Sequence, residues 1–273
     1  MPVSEADDRN GERAVQLTLR HERGFSLAEI AVVMVIVGLL IGGLLAPLSA
    51  QMEQRNYADT QKRLESATEL LLGFAIANGR LPCPASSSSS GDESPSGGGT
   101  CTNYYDGFLP AKVLGMQPVD PSGYAVDAFN NRIRYVLAQT FKTGTGCAGS
   151  LPAFSSSTNV KSNGLQCLPG DLRVCSSSQF SGFSGTACDT GAGPDNDLVG
   201  ANTVVAIVFS MGKNSATSDA TRTDELANTD ANATFVYHTP APTGATGGEY
   251  DDQMVWISAG LLYGRMVSAG VLP

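Results

Sequence analysis

The chain is short of histidine, tryptophan and basic residues. Its 273 residues include two His, one Trp and 17 Lys or Arg against 26 Asp or Glu, giving a formal charge of -9 at pH 7 and a pI near 4.7. Proteins that bind a phosphate backbone gather a basic face, so this balance removes nucleic acid from the expected partners. His21 and His238 are too few for a histidine-based acid–base site or a zinc site. No C-x-x-C pair occurs either, so the ligand spacing of zinc modules is missing. With no convergent catalytic set legible, the chain is expected not to be an enzyme, and neither a cofactor nor a metal is assigned.

What the sequence does have is six cysteines, Cys83, Cys101, Cys147, Cys167, Cys175 and Cys188, all after the first 80 residues. An even set of this kind points to disulfides, hence to the periplasm or the exterior, and requires a route of export. From Ile30 to Ala50 there are 21 residues without a formal charge. At 1.5 Å per residue, a helix of that length covers roughly 30 Å, one hydrocarbon core. Arg20 and Arg23 precede the run, so the positive-inside rule keeps the amino terminus in the cytoplasm and exports the remainder. A secretory signal fits less well, because its apolar region spans about 7 to 15 residues and ends in small residues. Here Leu48-Ser49-Ala50 puts a large side chain where a small one belongs. Glu29 stands at the edge of the run. A carboxylate carried to mid-bilayer costs roughly 2.5 to 3.5 kcal/mol, so it calls for a cationic partner.

The stretch Gly24-Phe25-Ser26-Leu27-Ala28-Glu29, with the apolar run behind it, resembles the type III signal of type IV prepilins and pseudopilins. The resemblance implies that a prepilin peptidase cuts between Gly24 and Phe25 and methylates the new amino group of Phe25, leaving Glu29 as the fifth residue. It also implies the partners: other pilin or pseudopilin subunits, the peptidase, an inner-membrane assembly platform and the inner membrane itself. A single-pass inner-membrane precursor would then move into a periplasmic pseudopilus or an extracellular pilus. The physical logic is that cutting creates an α-ammonium in or near hydrocarbon. Glu29, four residues along, is not expected to fold back on its own rigid helix, so a neighbouring subunit's Phe25 supplies the cation. Gly38, Gly42, Gly43 and Pro47 weaken the helix. Such residues are common in any membrane helix, while the resemblance implies that this part can lose regular hydrogen bonding in filaments.

After Gln51 the run becomes amphipathic, with Tyr57, Leu64, Ala67, Leu71 and Phe74 at helical spacing. The helix is predicted to continue to about Asn78, where Gly79 and then Pro82 stop it. The implied layout is a leader over 1–24, a transmembrane and assembly helix over 25–50, an amphipathic half over 51–79, and a globular domain over 80–273. The Ser- and Gly-rich stretch 85–100 is expected to be a flexible loop tied at its base by Cys83 and Cys101. A Cys-rich insertion over 144–197 is expected to lack a core of its own. Nearest-neighbour pairing joins Cys147 to Cys167 and Cys175 to Cys188, although six cysteines allow 15 connectivities. A turn leading into a strand is predicted over 127–136, and strands over 203–211, 233–237 and 253–258. They form an antiparallel sheet on the amphipathic half of the helix, an α+β, pilin-like architecture. A short terminal helix over 260–270 packs Leu262, Met266 and Ala269 on the sheet.

Three further patches resemble elements of type II secretion major pseudopilins: Asp127 to Tyr135, Ser210 to Asn214, and Asp251-Asp252-Gln253-Met254-Val255-Trp256. Phe129 and Asn130 replace a Trp and a Gly of that pattern. The resemblance implies a calcium loop near the last strands, to which Asp251 and Asp252 could contribute, while solvated acidic residues ahead of a strand are the plainer reading. The 249 residues after Gly24 exceed what common major subunits need and favour a minor one. A pilus-associated adhesin or substrate-binding subunit using the Cys-rich insertion is the alternative, ahead of an anchored periplasmic enzyme. Gly24→Arg is expected to block processing completely, leaving a precursor band on an immunoblot. Normal maturation of this variant would overturn the reading of the signal.

Overall fold

The computed structural model describes residues 24–142, 147, 151–189, 196–199, 202–215 and 219–272, with the side chains of 43–48 excepted. The leader 1–23 therefore lies outside the described residues, as do the side chains of Gly43 and Pro47. The chain divides into two compact units, Met1–Gln51 and Met52–Pro273. Helix α1, Leu27–Asn78, contributes to both.

In the first unit α1 exposes Val32, Val33, Met34, Val35, Leu39 and Leu40, an apolar surface that its own chain leaves uncovered. No helix of the described residues is long and apolar enough to cross a membrane.

In the second unit, the 3.6-residue repeat of α1 buries Leu64, Ala67, Leu71, Leu72 and Ala75. Gly79, at φ +68°, adopts the left-handed conformation that ends a helix at low cost, and its N–H reaches Ala75 O at 2.8 Å. The main sheet is antiparallel, in the order β1 (Gly107–Phe108), β2 (Arg134–Leu137), β4 (Val204–Ser210), β6 (Gln253–Ser258). Its four strands are not the four expected. The 233–237 segment forms β5 (Thr234–Val236), which pairs in parallel with β3 (Arg173–Cys175) in a separate two-stranded sheet. Phe235 lies against Phe209 of β4, and Tyr237 against Trp256 of β6, each with ring centroids 5.8 Å apart. Side chains alternate along a strand, so β5 covers a face of the main sheet instead of extending its edge. A short apolar run reads alike in either position.

Ala153, Phe154, Val160, Leu172 and Val174 belong to the same core cluster as Leu71 and Ile207, so the insertion completes the main core. A second, smaller cluster gathers Cys175, Cys188, Ala227, Val236 and Tyr250. Disulfides join Cys83 to Cys101, Cys147 to Cys167, and Cys175 to Cys188. The terminal helix α5 (Ala259–Ser268) is capped by Ser258, whose Oγ accepts from Leu261 N–H at 3.2 Å. It buries Leu262, Tyr263 and Met266 and not the expected Ala269, which falls beyond its last turn and is exposed.

The Ser- and Gly-rich loop is not held only at its base. Glu93 is buried, at 6% exposure, and takes bidentate bonds of 2.8 and 2.7 Å from Arg80 together with bonds from the N–H groups of Cys83 and Gly97. Burial pushes the Glu93 carboxyl up, but these donors together hold it below the ordinary carboxylate range. At Gly98, φ is +81° and a Cβ would strike the Arg80 guanidinium. Charge and backbone bonds thus order a segment that has little apolar surface to bury. Removing one member of such a pair strands the other, at a cost of about 3–5 kcal/mol. Glu93→Ala is expected to lower the unfolding free energy by about that amount in a urea titration at pH 7. A loss well below about 1 kcal/mol would show that the loop holds without the ion pair.

Candidate functional site

Gly24 and Phe25 precede α1 in non-helical backbone, and Phe25 is 83% exposed. The helix begins at a reciprocal capping box. Glu29 N–H donates to Ser26 Oγ at 3.2 Å, and Ser26 N–H donates to Glu29 Oε2 at 2.9 Å. Three residues back, at the N-cap, the Glu29 side chain thus reaches the peptide N–H of Ser26. A carboxylate accepts at both oxygens, so the bond at Oε2 leaves Oε1 able to accept from another protomer. Gly38 and Gly42 lie within α1, and a Cβ at either would meet nothing within 4 Å.

A second site lies at the start of β6. Asp251 and Asp252 are 4% and 3% exposed, so they are not the solvated pair that the sequence suggests. With Glu225 of helix α4 (Thr223–Ala227) they bring carboxylate oxygens within 4.8 Å of one another. Protein donors meet most of this charge. Arg222 Nη1 donates to Glu225 Oε2 at 2.5 Å, Asn228 Nδ2 to Asp252 Oδ2 at 2.7 Å, and Lys213 N–H to Asp251 Oδ2 at 3.0 Å. Asp251 Oδ1 is buried without a hydrogen-bond partner. Burial and then the Glu225 charge push Asp251 up to about 6, and burial pushes Asp252 up as well. Three hard oxygen donors with one lone pair unmet suit a calcium ion. Glu225, Asp251 and Asp252 would hold it, and its charge would offset their repulsion.

The third site was illegible in the sequence. Asp224, 1% exposed, accepts from Ser177 Oγ at 3.1 Å, from Ser178 N–H and Oγ at 2.6 Å each, and from His238 Nε2 at 3.2 Å. Residues from 177, 224 and 238 meet only through the tertiary fold. The composition is that of a serine hydrolase site, but the geometry differs, because both hydroxyls bond the carboxylate and neither bonds the imidazole. His238 Nδ1 faces Thr239 O at 2.7 Å. No ring nitrogen is therefore turned toward a serine as a base, which nucleophilic catalysis would need.

Residues 19–45 match the prokaryotic N-terminal methylation motif. This is the signal of type IV prepilins and pseudopilins. It supports a cleaved, methylated subunit of pilin or pseudopilin type, with pilin-family partners in general. The match holds Gly24, Phe25, the Ser26–Glu29 capping box, Gly38, Gly42 and Gly43. Pro47, the carboxylate cluster and the Asp224–His238 site lie beyond it. No curated protein and no solved structure matches the chain.

The raised carboxyl of Asp251 has a signed consequence. The folded chain keeps a proton there that the unfolded chain releases, so this group's stabilisation is lost as pH rises from about 4 to 6. In a chelating buffer the melting temperature should fall over that window. Asp251→Asn should flatten the fall and raise the melting temperature at pH 7 by roughly 2–4 °C for each kcal/mol of repulsion relieved. An unchanged pH profile in the variant would show that Asp251 is not the group responsible.

Proposed function

We propose that the chain is a structural subunit of a type IV pilus or a type II secretion pseudopilus, cut after Gly24, N-methylated at Phe25 and polymerised through its amino-terminal helix. The observation that carries this reading is the junction at Phe25. The bond to be cut sits in exposed non-helical backbone, immediately before a capped helix with Glu29 at its third position, inside the methylation motif. The uncharged run 30–50 anchors the precursor in the inner membrane, with its amino terminus in the cytoplasm. Once cut, one protomer's Phe25 ammonium meets a neighbour's Glu29. Two charges costly to leave alone in hydrocarbon are then offset by association.

The exposed apolar side chains of α1 supply the surface on which protomers pack. The length of the exported part favours a minor subunit. On this reading the chain works by assembly. The adhesin reading rests on a different observation, a cavity of about 530 Å³ whose wall includes Ser176, Ser177, Gln179 and Phe180 of the Cys-rich insertion.

Edman degradation or intact mass of the exported product should give N-methylphenylalanine at position 25 as the first residue; any other start would end the proposal. Glu29→Ala should be cut and inserted normally, yet enter sheared filaments at least tenfold less, the consequence of losing about 1.4 kcal/mol or more per contact. Undiminished incorporation would remove the charge pair from the assembly step.

A further inference from the structure

The cavity beside His238 has the Cys175–Cys188 loop on one side and the segment Thr239–Pro242 on the other, with Asp224 and His238 where the two meet. Its polar groups are turned toward each other. Ser177 and Ser178 donate to Asp224, Gln179 Nε2 donates to Thr223 Oγ1 at 2.6 Å, and His238 closes the set at Asp224 Oδ2. The chemistry of the cavity therefore lies in what joins its walls.

That joint depends on one proton. Both ring nitrogens of His238 face acceptors: Asp224 Oδ2 at 3.2 Å from Nε2, and Thr239 O at 2.7 Å from Nδ1. A carbonyl oxygen carries no proton. Burial pushes the Asp224 carboxyl up, but the bonds from His238, Ser178 and Ser177 hold it below the ordinary carboxylate range, so it too is an acceptor. Only an imidazolium donates at both nitrogens. A neutral ring has a single N–H and must turn a lone pair toward one of the two acceptors, converting a hydrogen bond into a repulsive contact. Flipping the ring exchanges the nitrogens without changing that count. The Tyr250 ring, with its centroid 3.9 Å from that of His238, backs the imidazole.

We propose that His238 and Asp224 form a proton-operated latch. With His238 protonated, the latch clasps the Cys175–Cys188 loop to the Thr239–Pro242 segment. With His238 neutral, the clasp loses its charge and one of its two hydrogen bonds, and the two walls are held less tightly. Asp224 is the hub because it bonds the loop through Ser177 and Ser178 and bonds the opposite wall through His238.

The charged surroundings favour the closed form at neutral pH. Helix α4 presents Asp224 and Glu225, the latter paired with Arg222. The segment before β6 presents Tyr250 and Glu249, which accepts from Thr243. The loop 176–187 contributes hydroxyls and an amide but no charge. On its own chain, His238 is preceded by Tyr237, which packs on Trp256. The bond to Asp224, followed by the bond to Thr239 and the charges of Asp224 and Glu225, outweighs burial and holds the His238 proton above its ordinary value of 6.5. The sign follows from linkage: stabilisation by the latch is complete below the unfolded value and is lost as pH rises through the folded one.

The test uses the full chain with ¹³C-labelled histidine, followed by NMR from pH 5 to 9. Its two imidazoles, His21 and His238, are told apart by their loss in His238→Gln. His238 should titrate above 6.5. Amide hydrogen exchange of 176–180 and 239–242, corrected for the intrinsic base-catalysed rate, should accelerate severalfold through the same midpoint. In His238→Gln both segments should exchange at the fast rate already at low pH. If that variant does not fold, Asp224→Asn keeps the shape and removes the charge, and should move the His238 midpoint down to 6.5 or below. A wild-type midpoint at or below 6.5, or exchange in the two segments that ignores the His238 proton, would overturn the latch.

Discussion

Every residue of β4 is buried, so the main sheet must be covered on both faces, and much of the second unit follows from that requirement. One layer comes from α1, whose Leu64, Ala67 and Leu71 share a core with the strands. The remaining cover is built from shorter pieces: β5, whose Phe235 lies against Phe209, and the insertion, whose Phe154 O accepts from Leu81 N–H at 2.9 Å just past the end of α1. Such pieces bury little apolar area each, and burial at about 25 cal/mol per Å² has to exceed the entropy of ordering them. Cross-links supply what the small pieces lack. Cys147–Cys167 and Cys175–Cys188 close short loops within this layer, as Cys83–Cys101 does beside the helix end, each worth roughly 3 kcal/mol in the chain-entropy picture.

The same shortage of apolar surface accounts for the buried ions. Arg80 and Glu93 hold the Ser- and Gly-rich loop, Arg222 and Glu225 sit beside Asp251 and Asp252, and His238 meets Asp224. A buried ion pair adds little net stability over a hydrophobic pair, but it is costly to break. It therefore specifies one arrangement of segments whose packing alone would allow several. The methylation motif ends at residue 45, and Glu93, Asp224, His238 and Asp251 all follow it in the sequence.

Legibility in the sequence followed the range of the interaction. Helix α1, its stop at Gly79, the strands near 134, 204 and 253, and the α+β layering all express local periodicity. The signal at Gly24 to Glu29 was legible because its chemistry is contiguous. The capping role of Ser26 is encoded in the same stretch by the Ser-x-x-Glu spacing, next to the charge of Glu29 that the apolar run makes more conspicuous. Strand partnership was not available. Thr234–Val236 is equally apolar whether it joins the main sheet or lies across it, and only the aromatic contacts to Phe209 and Trp256 distinguish the two. Glu93, in a run of Ser and Gly, gave no sign that an Arg thirteen residues earlier would bury it.

Taken alone, the order of residues settled the amino-terminal signal and the long helix, because each depends on neighbours in the chain. The tertiary structure decided which strands share a sheet, that Asp251 and Asp252 are buried, and that Ser177, Ser178, Asp224 and His238 meet. Those outcomes depend on long-range packing and on the dielectric of the interior. No spacing along the sequence encodes a distance between residues 177 and 238.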